Sequence, residues 1–134
     1  MNNLSWQYIK QLKDTNAIAK LAATVGITLS EDVVSFLKQH NGGRPDKKCF
    51  DTNLSKERMI KSLLSFNEDD RGSAHAVVPA LKKDKSGLFP FASDPGGNYI
   101  CIDAAGKIVF WLHETNEVEA ISNSFTEFFL ALYN

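Results

Sequence analysis

The sequence predicts an α+β fold, with helical segments first, an antiparallel sheet in the middle and a closing helix. Three observations carry this. Ser30 precedes Glu31-Asp32 and an apolar helical face that Asn41-Gly42-Gly43 stops. Residues 89–114, FPFASDPGGNYICIDAAGKIVFWLHE, read as a strand, a Gly-rich turn and a β-hairpin. At the chain's end Ser124-x-x-Glu127 forms a capping box, with Phe125, Phe128, Phe129 and Leu132 at i, i+3, i+4 and i+7.

In chain order, residues 4–12 place Leu4, Tyr8, Ile9 and Leu12 at helical spacing, so a helix is expected there. Residues 16–25 form a short Ala-rich helix that Gly26 ends. Ser30 caps the next, with Glu31 and Asp32 where the helix dipole favours acids. Its apolar face is Val33, Phe36, Leu37 and His40, the last placed to meet free carbonyls at the helix end. Residues 59–66 fit a helical repeat better than a strand repeat in their apolar positions. A polar acidic loop over 67–73 and a helical piece over 74–83, broken by Pro79, follow.

Residues 89–92 begin the central sheet. In the hairpin, residues 99–103 and 107–113 flank Ala104-Ala105-Gly106, a loop length that closes through a left-handed Gly. Aligning the ends pairs Asp103 with Lys107, Ile102 with Ile108 and Ile100 with Phe110. Tyr99, Cys101, Val109 and Trp111 then share the other face. A hairpin apolar on both faces belongs inside a sheet covered on each side. A short strand over 118–120 completes it.

Composition narrows the function. The 134 residues, 43% apolar and 23% charged, suit one globular domain spanning 1–134. Fifteen basic residues against sixteen acidic ones, net charge -1, argue against nucleic-acid binding. Lys47-Lys48 and Lys82-Lys83 with Lys85 are short clusters with acidic neighbours. No secretory signal opens the sequence and no apolar run could span a bilayer. Cys49 and Cys101 suit reduced thiols, so a cytoplasmic location without membrane contact is expected.

Three blocks resemble a known family: Asn41-Gly42-Gly43-Arg44-Pro45; residues 89–94 leading into 97–103; and residues 107–114 followed by 121–129. In order and spacing they are similar to the SUKH superfamily of the SMI/KNR type, over roughly residues 28–134. That superfamily includes a yeast regulator of cell-wall synthesis and many small bacterial immunity proteins. Asn98 stands where the family often has an acid, and Trp6 only approximates its aromatic opening. The resemblance implies an antiparallel sheet of about six strands with helices packed on it, and favours strand over helix for residues 59–66. It also implies a non-catalytic immunity protein that binds a cognate toxin, or alternatively a regulatory interaction module.

Asp94, Asp103, His113 and Glu114 invite an enzyme reading, with a small hydrolase built on Asp94 or His113 as the third alternative. Their spacings match no catalytic or metal-ligand motif. Asp103 and Lys107 close a hairpin, His75 has no second ligand at metal spacing, and no protease signature surrounds Cys49. Residues 94–98 feed a strand and lack the Lys of a phosphate loop. No catalytic residue, cofactor or metal is therefore expected. For partner binding, Glu68, Asp69 and Asp70, with Glu114, Glu117 and Glu119, could present an acidic surface to a basic toxin. Solubilising loop acids are the competing reading. Oligomeric state, and any small ligand beside the turn at 94–98, stay open.

Overall fold

The structure is a computed structural model that describes residues 4–134. Residues 1–3, part of the N-terminal stretch read above for a signal, lie outside the described residues. Local chemistry sets the helices. In α1 (Ala17–Thr24), Gly26 takes φ +75°, and Gly26 and Ile27 donate to the carbonyls of Ala23 and Ala22. This is the left-handed terminator expected of that glycine. In α2 (Glu31–Gln39), Ser30 Oγ accepts from Val33 N–H at 3.3 Å, and His40 Nδ1 donates to Phe36 O at 2.9 Å.

Residues 4–12 are not a helix. Trp6–Gln7 (β1) pairs antiparallel with Arg44–Pro45 (β2), and Tyr8 turns to φ +62°. The apolar spacing misled because Trp6, outside the helical stripe, packs on the core beside Leu4 and Leu12, while the other two members of the stripe do not. Its ring packs on His40 (4.5 Å), Phe36 (5.7 Å) and Phe129 (6.0 Å), whereas Tyr8 and Ile9 stay exposed. Cys49–Phe50 (β3) and Arg58–Met59 (β4) form a second small ribbon, with Tyr133 bridging onto Cys49.

The main sheet is five-stranded and antiparallel, in the order Ser62–Leu63 (β5), Leu88–Ser93 (β6), Tyr99–Asp103 (β7), Ile108–Leu112 (β8) and Glu117–Ser122 (β9). Residues 59–66 are thus two short strand pieces, and buried Ile60 links them. Beyond β5, Leu63 N–H donates to Gly43 O and Gly42 N–H to Leu64 O, carrying backbone pairing on towards β2. The expected count of about six strands resolves into five plus this ribbon extension.

The hairpin register is as expected: Ile100 faces Phe110, Ile102 faces Ile108, and Gly106 takes φ +83°. One detail differs. The Asp103 carboxylate accepts from the backbone of Ala105 and Lys107, both at 2.9 Å, and not from the Lys107 ammonium.

The two faces of the hairpin enter two cores. Ile100, Ile102, Ile108 and Phe110 join the larger cluster, with Phe91 and the rings of α4 (Phe125–Leu130). Cys101, Val109 and Trp111 join Leu88 and Leu81, the last from α3 (Ala74–Asp84). That helix runs unbroken through Pro79, correcting the expected interruption. Val77, Val78 and Leu81 anchor it on both sides of the proline, outweighing the lost hydrogen bond. In α4, Ser124 Oγ accepts from Glu127 N–H, while Glu127 Oε2 reaches back to Asn123 N–H.

Candidate functional site

A cleft of about 510 Å³ opens where β5 meets the β1–β2 ribbon. Its walls come from segments far apart in the chain, and buried polar side chains hold them together. Asn41, 0% exposed, accepts from Phe66 N–H at 2.7 Å through Oδ1 and donates to Lys10 O at 3.1 Å through Nδ2. Its carbonyl accepts from Lys10 N–H at 2.8 Å. One asparagine thus clamps the segment after β1 to the segment after β5. Asn67, buried beside it, accepts from Lys13 N–H and donates to Gln11 O, both at 2.9 Å.

The far wall is the turn after β6. The Asp94 carboxylate accepts from Gly96 N–H (2.9 Å), Asn98 N–H (2.7 Å) and Asn98 Nδ2 (3.1 Å). Asn98 Oδ1 in turn accepts from the backbone N–H (3.0 Å) and Nδ1 (2.8 Å) of His113. Asp94 and His113, the residues a hydrolase would have used, are both engaged in shaping this turn. His75 is likewise engaged, with Nε2 on Phe66 O at 3.0 Å.

Four cations line the cleft, Lys10, Arg44, Lys61 and Arg71, against the single carboxylate of Asp94. All four are exposed. Among the described residues, ion pairs join Lys13 to Asp69, Lys20 to Asp14 and Arg58 to Glu119, and none takes a cleft cation. Tyr8 stands at the mouth, 68% exposed, with the Arg44 guanidinium 5.1 Å over its ring. A bulky residue held at φ +62° is backbone strain of the kind that collects at binding sites.

The residues singled out as an acidic surface are dispersed. Glu68, Asp69 and Asp70 follow β5, one edge of the main sheet, whereas Glu117 and Glu119 belong to β9, the other edge. Glu114 lies exposed in the turn before β9. Glu68 and Glu117 are exposed, and Asp69 is exposed but paired with Lys13 at 3.1 Å, which holds its carboxyl below the usual range. Asp70 is half-buried, and the hydrogen bond from Ser65 Oγ holds its pKa down. Glu119 corrects the expectation of a surface carboxylate. It is 7% exposed and accepts from Thr52 Oγ1 at 2.7 Å beside Arg58. Its side chain shares the inward face with Phe110, its cross-strand partner. Burial within β7 pushes the Cys101 thiol pKa up, away from the reactive thiolate.

The cationic cleft escaped sequence reading because Lys10, Arg44, Lys61 and Arg71 form no motif and meet only through the fold. The one signal that touched it was the Asn41-Gly42-Gly43-Arg44-Pro45 block. A Cβ at Gly43 would sit 2.9 Å from His40 O and 3.1 Å from the Trp6 ring, so this close approach requires glycine.

An antiparallel sheet with helices packed on it is an α+β fold, the class expected of the SMI/KNR kind. The comparison with known families agrees: residues 14–131 match the SMI1 / KNR4 family (SUKH-1), and the chain belongs to that family. Arg44, Lys61 and Arg71 lie within the matched region, and Tyr8 and Lys10 precede it. The chain is also similar to the SPbeta prophage-derived uncharacterized protein YokK of Bacillus subtilis (strain 168). The two are 27% identical over 139 aligned positions, which cover 86% of this chain and 72% of the relative. No helix among the described residues is long and apolar enough to cross a membrane.

Proposed function

We propose that this protein is an immunity protein, which binds a cognate toxin domain in the cytoplasm and blocks it without chemistry of its own. Membership of the SUKH-1 family is the observation that carries this reading. The architecture supports it, because Tyr8, Arg44 and Arg71, exposed side chains of the types that anchor interfaces, gather at one cleft. The hydrolase alternative loses ground because Asp94 and His113 hold a turn together.

The test is growth rescue. The chain is co-expressed in bacteria with the toxin domain encoded beside its gene, and the pair is then co-purified. Rescue together with a stable complex is the expected result. A purified chain with no affinity for that domain, and no rescue, would overturn the proposal.

A further inference from the structure

We infer that the cleft between β5 and the β1–β2 ribbon is a docking site for an acidic segment of a protein partner, a reading that rests on the partner-binding function proposed above. Charge is the first argument. Four exposed cations face one carboxylate, and that carboxylate is already saturated by turn donors. Lys10 feels Asp70 only at Coulombic range, without an ion pair. Like charges gathered around one concavity repel one another, and an incoming carboxylate relieves that repulsion.

The second argument is the type of donor. The Arg44 and Arg71 guanidinium groups offer planar forks that match carboxylates, while Lys10 and Lys61 supply compact point charges. Tyr8 adds an aromatic surface at the mouth with little side-chain entropy to lose on binding. It is already oriented by the Arg44 contact and by its left-handed backbone.

The third argument separates a peptide from a nucleic acid. Asp69 is paired with Lys13, but Glu68, exposed and in no ion pair among the described residues, stands outside the cleft in the loop that carries Arg71, where it disfavours a phosphate backbone long enough to run on past the site. With a whole-chain charge of -1, the site favours a short acidic stretch over a polyanion.

The experiment has two arms, both on the full chain. In the first, amide resonances are followed by NMR during titration with a short Asp/Glu-rich peptide carrying one Leu. Its Asn/Gln counterpart and a short single-stranded RNA serve as comparisons. The acidic peptide should move the resonances of Gly42, Ser62 and Gly97. The double variant Arg44→Ala/Arg71→Ala should weaken its binding roughly tenfold or more. A control lacking two cations elsewhere, Lys83→Ala/Lys107→Ala, should bind as the native chain does. All these positions are exposed, and equal thermal midpoints would confirm that both variants fold. No shift with the acidic peptide, equal losses in both variants, or tighter binding of the RNA would overturn the inference.

In the second arm the neighbouring toxin domain replaces the peptide. If it binds the native chain and the Arg44/Arg71 variant alike, the cleft inference falls and the toxin reading stands. If it binds neither while the peptide behaves as expected, the toxin reading falls and the cleft stands as an acidic-segment site.

Discussion

Asn41 shows how much of the site one side chain holds. Replacing it with Ala leaves the buried Phe66 N–H without its acceptor at 2.7 Å and frees the Lys10 carbonyl. A loss of about 3 kcal/mol is expected in urea unfolding, the upper end of the range for stranding a buried donor. Gly43→Ala should cost about 1–3 kcal/mol by pressing a methyl against His40 O and Trp6. Asp70 sets part of the acid response. The Ser65 hydrogen bond keeps its folded pKa below 3.8. Its contribution is therefore complete above that value and is lost as the pH falls through the lowered folded pKa. Asp70→Asn should lower stability at neutral pH and flatten the decline below about pH 4, measured by thermal midpoints across acid pH. Glu68→Lys, at an exposed position with no such bond, should leave the midpoint unchanged.

At the scale of elements, Trp111 is the side chain the second core can least spare. It packs with Leu88, Val109 and Leu81, and Nε1 donates to Asn116 Oδ1 at 2.7 Å. Trp111→Ala should cost about 3–5 kcal/mol by chemical denaturation. These elements were also the ones most legible in the sequence. The hairpin register followed from a three-residue loop ending in Gly, and α2 and α4 followed from Ser30 and Ser124. In each, neighbours in sequence settle the geometry. The failures have the opposite cause. Residues 4–12 take their shape from Asn41, Pro45 and Phe129, which no local pattern can reveal. The helix through Pro79 survives on sheet contacts that propensity does not contain. The cleft cations, gathered from positions 10 to 71, were invisible for the same reason, and the acidic residues misled because charge alone does not say which face Glu119 turns to.

Across the whole molecule, the sheet separates two cores that share its strands. Trp6 lies against the larger one and Trp111 within the smaller one. If β6, β7 and β8 couple the two faces, the chain unfolds as one unit. Fluorescence of Trp6→Phe would then report the Trp111 side, and its transition should coincide with the loss of helical circular dichroism in the same variant. Separated midpoints would show that the faces melt independently.

The contact between Trp6 and Phe129, centroids 6.0 Å apart, has a kinetic consequence. These rings lie almost at opposite ends of the sequence, so the larger core seals only when nearly the whole chain has closed on itself. Such closure carries a large entropy cost, and folds rich in distant contacts form slowly. Phe91 is covered by the Phe125, Phe128 and Phe129 rings and Phe110 by Phe50, so both stay open until those distant segments dock. A chain that has formed its hairpin but not yet docked those segments exposes an apolar sheet face, the kind of surface through which folding intermediates aggregate.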